Sequence, residues 1–291
     1  MDSISGEAKY ECLLFDMDDT LYPSSSGINL ACRKNIQDYM LHHLRIDESQ
    51  VPRMCLELYK EHGTTMAGLK ALGFEFDNDE FHAYVHGRLP YEILKPDPFL
   101  RGLLLSMPQR KIIFTNADKA HAEEVLKGLG LEDCFEGVIC FETLNPPVLP
   151  NDSNEKININ RSDEFEDQIL SQAKESKSES HTDSSIADGS KARSSRILCK
   201  PSIEAIKLAI QIANIDPQKT IFFDDSARNI AAGKAAGLTT VIVGSSELVP
   251  GADHALSSIH NIKEALPEIW EGWKQLDAVL SSTAVETVVL A

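Results

Sequence analysis

The sequence predicts an α/β fold: a parallel sheet core with a helical cap inserted into it. Three observations carry this. A short apolar run ending at Phe15 is followed at once by Asp16, Asp18 and Asp19. A second apolar run, Phe222 and Phe223, ends in Asp224 and Asp225. Clustered carboxylates cannot be buried at a strand end without cations, protons or donors, so both runs read as strands opening onto one shared cation site. Between 27 and about 89 no stretch resembles a buried parallel strand, whereas strand-like and helix-like runs alternate through most of the remainder.

The chain has 291 residues, 42% hydrophobic, which suits one substantial core with a second small domain. Its formal charge of −17 disfavours long-range attraction to DNA, RNA or an anionic membrane. Six cysteines lie without C-x-x-C spacing, the N-terminus lacks a signal-peptide pattern, and no apolar run reaches bilayer length. The expected setting is a reducing one, cytoplasmic or nuclear, with no polymeric nucleic acid partner and no stable membrane insertion.

Taken in order, 10–15 reads as the first strand, and the Pro- and Ser-rich loop 21–27 as the point where the chain leaves the sheet. Helices follow at 28–44, 54–59, 64–72 and 79–84, broken by Gly63, Gly73 and an Asp-Asn-Asp cluster. These form the expected cap, 25–89, placed to cover the acidic loop and exclude water. The core comprises 1–24 and 90–291. Within it a helix is expected at 99–107, a strand at 111–114, a helix at 117–129 and a strand at 135–140. The polar, Ser-rich, acidic span 145–196 reads as a disordered insertion that could recruit a protein partner. Pro201 is expected in the first turn of a helix 202–213 whose apolar face is Ile203, Ile206, Ala209, Ile210 and Ala213. A strand at 220–223, a helix at 230–236, a strand at 239–243 and helical segments at 259–262 and 266–270 complete the series.

Asp16 and Asp18 are spaced for two roles, one attacking an electrophile and the other moving a proton at the leaving oxygen. Standing alone they could equally be a cap and a solvated loop residue. Asp224 and Asp225 with Asp16 offer a hard oxygen shell suited to magnesium, and the same pair with Ser226 could also cap a helix. Zinc is disfavoured, since the nine histidines show no H-x-H or H-E-x-x-H group. Thr115 and Asn116, after an apolar run, could cradle a phosphoryl group at a helix start or simply cap it. Lys200 could neutralise a phosphate, although alone it reads as an ordinary solvated lysine.

The ordered set D-M-D-D-T at 16–20, T-N at 115–116, K-P at 200–201 and F-F-D-D-S at 222–226 resembles the haloacid dehalogenase (HAD) superfamily. The longer phrases D-M-D-D-T-L-Y-P and F-F-D-D-S-A-R-N resemble its fungal and plant pyrimidine 5′-nucleotidase-like phosphatases. The resemblance implies Asp16 as nucleophile and Asp18 as general acid/base. It implies Thr115, Asn116 and Lys200 as the phosphate-binding group. Magnesium would be held by Asp16, Asp224, Asp225 and the backbone carbonyl of Asp18. A K-P-D-P at 95–98 imitates the lysine motif but precedes Thr115, so Lys200 is chosen and Lys95 is assigned to the linker returning from the cap.

The implied function is magnesium-dependent hydrolysis of a small phosphomonoester through an aspartyl-phosphate, on pyrimidine nucleoside 5′-monophosphates. A lysophosphatidic-acid or sugar phosphatase is the enzymatic alternative. A non-catalytic phosphate-sensing or protein-interaction scaffold is the alternative of another class. Arg33, Lys34, His42, His43, Arg53, Tyr59, Lys60 and His62 are candidate substrate contacts in the cap, each equally readable as solvated helix surface.

Overall fold

A computed structural model describes residues 9–147 and 196–271. Strand β1 (Cys12–Phe15) is wholly buried and lies near the middle of a six-stranded, all-parallel sheet. Its neighbours are β2 (Arg110–Phe114) and β4 (Thr220–Asp224), with β3 (Gly137–Ile139) outside β2, and β5 (Thr239–Val243) and β6 (His254–Leu256) beyond β4. In the order β3-β2-β1-β4-β5-β6 the connections run outward in opposite senses from β1, so a crevice opens beyond the carboxyl ends of β1 and β4.

Alternation along the strands divides the core into two layers. Leu13, Phe15, Ile113, Phe223 and Val241 pack with α5 (Pro98–Ser106) and α6 (Lys119–Leu129). Cys12, Leu14, Ile112, Phe114 and Phe222 face the other way, onto α8 (Ile203–Ala213) and α9 (Ala227–Ala235), with Leu144 of the short α7 (Phe141–Leu144). Phe15 and Phe223 stack across the central strands at 4.6 Å between ring centroids. The chain ends its described part with α10 (Ile262–Ala265) flanked by 3-10 turns.

Between β1 and β2 the chain forms α1 (Ile28–His42), α2 (Val51–His62), α3 (Thr65–Ala71) and α4 (Asn78–Val85). Thr64 and Asp77 cap α3 and α4, each side chain accepting from the amide three residues on. These helices carry their own apolar cluster around Tyr39, which takes Phe141 from beyond them. Tyr39 meets Phe76, Phe81 and Tyr84 edge-on within that cluster.

Several expectations need correction. Pro201 is not in the first turn of α8: Ser202 is its N-cap, receiving the Ala205 amide. Ile203 is exposed, and Ala205 and Ile212 take its place in the buried face. Strand β6 escaped detection because three residues between Pro250–Gly251 turns and Ser257 leave no periodicity to read. The K-P-D-P segment has a structural duty, since Asp97 caps α5 through the Leu100 amide and Pro98 occupies its first turn. Lys95 is exposed, with its ammonium on the Glu92 carbonyl.

The expected insertion at 145–196 lies, apart from its two ends, outside the described residues. All six cysteines are free, and five of them are buried. No described helix is long and apolar enough to cross a membrane.

Candidate active site

The carboxylates of the crevice come from strand ends and the loops that follow them, while Lys200 comes from the segment leading into α8. Asp16 follows β1, its amide continuing the ladder onto the Phe223 carbonyl at 2.8 Å. Its carboxylate is nearly enclosed: Thr20 Oγ1 donates to Oδ2 at 2.9 Å and Lys200 Nζ to Oδ1 at 2.6 Å. Between the two aspartates Met17 is fully buried, which anchors the loop, and Asp18 bonds partners of its own. Asp19 adopts the left-handed conformation, φ 59°, and accepts from Asn29 on α1.

Lys200 is 1% exposed, far from a solvated lysine. Its ammonium donates to Asp16, to Asp224 Oδ2 at 2.9 Å and to the Phe114 carbonyl at 2.7 Å, which uses all three of its protons. Burial opposes its charge, but Asp16 and Asp224 outweigh that and raise its pKa. Asn116 clamps the lysine backbone: its Nδ2 donates to the Lys200 carbonyl at 3.0 Å and its Oδ1 accepts the Lys200 amide at 2.8 Å. The Asn116 side chain is thus occupied in positioning Lys200. Thr115 is buried, with its hydroxyl accepting the Ala117 amide in a tight turn ahead of α6, which starts two residues later than expected.

Gly63, at the end of α2, presses on the same lysine. With φ +89° it occupies the left-handed region, and a Cβ there would overlap the Lys200 carbonyl and sit 2.7 Å from Pro201 Cδ. Gly63→Ala is therefore expected to cost roughly 2–4 kcal/mol of stability, from strain and overlap together, and to lower turnover by displacing the ammonium. Urea unfolding and steady-state kinetics on the same variant check both parts.

Asp224 is fully buried at the end of β4 and fully engaged. Besides Lys200, it accepts from the Ser226 amide at 2.9 Å and from Asn229 Nδ2 at 2.9 and 3.1 Å. Its neighbour Asp225 is the exposed member of the acidic group. Arg228 holds this loop against α2, donating to the carbonyls of Tyr59 and Lys60 and lying 4.6 Å over the Tyr59 ring.

Asp16, Asp224 and Asp225 each bring a carboxylate oxygen to within 4.8 Å of the others. One lysine cannot balance three carboxylates. Desolvation, only partly offset by Lys200 and aggravated by Asp224 and Asp18, raises the Asp16 pKa to about 7. Desolvation followed by the charges of Asp16 and Asp224 pushes Asp225 up to about 8. This excess of negative oxygen is what a hard divalent cation relieves, so the donor set fits magnesium.

Asp18 sits in a different environment. Burial alone would raise its pKa, but the charge and hydrogen bond of His121, with a further bond from Tyr22, bring it down to about 2. His121 Nε2 lies 2.8 Å and the Tyr22 hydroxyl 2.5 Å from the same oxygen, Oδ1. The other ring nitrogen of His121 is paired with the Tyr91 hydroxyl at 2.7 Å. Burial works against the His121 imidazolium, yet Asp18 overcomes it and raises its pKa. The sequence reading missed His121, Tyr22 and Tyr91. Tyr22 was within reach of it, four residues after Asp18, whereas His121 reads as one more residue of an amphipathic helix.

Beside Asp18 a cavity of about 480 Å³ lies between α1–α4 and the strand ends. Apolar Ile28, Ile36, Leu56 and Val85 line it together with polar Asn29, Arg33, Gln37 and Thr64. Of the cap residues singled out from sequence, Arg33 and Tyr59 are among its lining residues, while Lys34, His42, His43, Arg53, Lys60 and His62 are not.

No family model matches the chain. Over 132 residues it is 30% identical to Phosphate metabolism protein 8 of Saccharomyces cerevisiae, a match spanning 43% of this chain and 41% of that protein. The chain therefore spans under half the length of that curated relative. Among solved structures, CbbY from Rhodobacter sphaeroides in complex with phosphate aligns with a TM-score of 0.51 at 16% identity, covering 89% of this chain and 99% of that one. The chain has the HAD fold. A HAD phosphatase from Thermococcus onnurineus aligns at TM-score 0.48 and 15% identity over 87% of this chain and 96% of its own. L-2-haloacid dehalogenase from Xanthobacter autotrophicus gives 0.45 and 14% over 88% and 97%.

Proposed function

We propose that this chain is a magnesium-dependent phosphomonoesterase acting through an aspartyl-phosphate on Asp16, with pyrimidine nucleoside 5′-monophosphates as its substrates. The observation that carries the reading is the division of labour between two nearby carboxylates. Asp16 lies among Lys200, Asp224 and Asp225 in a cation-demanding cluster, and Asp18 is held apart by His121 and Tyr22. Two acids pushed in opposite directions by their surroundings are suited to different steps of one reaction.

Asp16 attacks phosphorus, forming the acyl-phosphate bond as the ester P–O bond breaks. The departing oxygen takes a proton from the hydrogen-bonded Asp18–His121 pair. Water then attacks phosphorus, Asp18 accepts its proton, and the Asp16–phosphorus bond breaks to release inorganic phosphate. Lys200 balances charge on Asp16 and on the bound phosphoryl group. Magnesium, held by Asp16, Asp224, Asp225 and the Asp18 carbonyl, would supply further charge neutralisation at the phosphoryl oxygens. Because the Asp18 carboxylate is occupied by His121 and Tyr22, its backbone carbonyl remains the reasonable metal contact.

The inserted helices act as a cap over this crevice. Their cavity has the volume of a small-molecule site, with Arg33, Asn29 and Gln37 available to a base and sugar. Its apolar walls also suit the tail of a lysophospholipid. Phosphate release from a panel of nucleotides, lysophospholipids and sugar phosphates, ranked by kcat/KM, separates these: the reading requires pyrimidine monophosphates to rank first, with no release when magnesium is chelated.

Removing the His121 charge should disturb Asp18 directly. His121→Gln is expected to lower kcat by roughly a hundredfold, within the usual range for general acid–base assistance. The sign of the accompanying pH effect is fixed: losing an adjacent cation raises the Asp18 pKa, so the limb of the kcat profile that Asp18 controls moves to higher pH. A pH–rate profile of wild type and variant measures both.

A further inference from the structure

Helix α4 carries His82 and leads directly into His86, one turn later, so both rings leave on the same side. Opposite them stands Asp118, the residue preceding α6. One ligand atom from each of the three lies within 4.8 Å of the others. His86 Nδ1 is 2.5 Å from Asp118 Oδ1, and His82 Nδ1 is 3.9 Å from the same oxygen.

His82 is the member that ordinary packing does not explain. It is 6% exposed and lines the cavity, and neither of its ring nitrogens has a hydrogen-bond partner. Burying two unsatisfied polar atoms is costly, and an aromatic ring without nitrogens would fill the same space beside Phe141, 4.6 Å away, at no such penalty. Burial, and then the charge of His86, drives the His82 pKa down to about 4, which leaves a neutral imidazole with a free lone pair at physiological pH.

We propose that His82, His86 and Asp118 form a second metal site, for a transition-metal ion of the zinc class, on the wall of the cavity. Two imidazole nitrogens and one carboxylate suit such an ion, in contrast to the all-oxygen set of Asp16, Asp224 and Asp225. Three protein ligands leave a four-coordinate ion one further position, for water or a donor group entering from the cavity. The ion would join α4 to the segment following β2, tying the inserted helices to the sheet. It would also lie near the general acid, because the His121 ring is 4.5 Å from that of His86. None of the three ligands belongs to the carboxylate cluster, so the inference stands independently of the phosphatase reading.

The test uses the metal-stripped full chain in saturating magnesium, titrated first with Co²⁺ and then with Zn²⁺. One Co²⁺ per chain should give the visible bands of a nitrogen-ligated, low-coordinate ion, and one Zn²⁺ should displace it and raise the thermal midpoint. His82→Phe, which preserves the ring volume, and Asp118→Asn should each weaken zinc binding at least tenfold and abolish the cobalt bands, with circular dichroism unchanged. His86→Gln serves the same purpose if either variant fails to fold. Asp225→Asn, in the carboxylate cluster, should retain the bands. Cobalt spectra of an all-oxygen octahedral ion only, zinc displaced by magnesium, or undiminished zinc binding in a folded variant of His82, His86 or Asp118 would each overturn the proposal.

Discussion

Asp16→Asn is expected to reduce magnesium-dependent phosphate release by a thousandfold or more, with the protein still folded. The amide is a poor nucleophile toward phosphorus, and no neighbouring group can substitute for it, because Asp224 is consumed by Lys200, Ser226 and Asn229. The variant also removes one negative charge from a cluster that carries too many, so its stability without magnesium should equal or exceed that of wild type. Loss of turnover together with unimpaired stability distinguishes a chemical role from a structural one. Phosphate release measured alongside denaturant unfolding reads both quantities.

Lys200→Met should have the opposite signature, losing stability and activity together. It leaves Asp16 and Asp224 facing each other in a buried site without their shared cation, a situation that typically costs about 3–5 kcal/mol. The pH dependence follows from the raised pKa of Asp16, which loss of Lys200 would raise further. A carboxyl whose folded pKa exceeds its unfolded value binds more protons when folded, so it costs stability as pH rises from the unfolded value through the folded one. The deficit of Lys200→Met should therefore be small near pH 4, deepen toward pH 8, and be partly restored by magnesium. Urea midpoints across that range, with and without the cation, provide the measurement.

The parts of this architecture that could be read from the sequence are those where one physical requirement acts locally. The apolar runs ending in Asp16 and Asp224 marked two strands and a shared site, because few other settings tolerate such a transition. The helical period of 28–44 and the absence of strands before 89 marked the inserted helices. What could not be read depends on contacts far apart in sequence. Lys200 taken alone reads as a solvated lysine and is singled out only by the ordered motif set; its bond to Asp16, 184 positions earlier, comes from the fold. Asn116 offered a phosphate cradle or a cap from the sequence, and its two bonds to the backbone of Lys200 appear only in the fold. His121 reaches Asp18 across 103 positions, and the His82–His86 pair gains its meaning only when Asp118 stands opposite. The K-P-D-P decoy shows the converse: a short motif can be met by helix-start chemistry alone, here Asp97 capping α5.

The claim that the phosphoryl group passes through the Asp16 side chain is tested most directly by trapping it there. Enzyme quenched during turnover of a pyrimidine monophosphate and treated with borohydride should yield homoserine at position 16, seen by peptide mass spectrometry, because hydride reduces an acyl phosphate and spares a free carboxylate. That product is expected in wild type and none when substrate is omitted. Reduction at a different carboxylate, or robust turnover in which position 16 stays unmodified at every quench time, would contradict it.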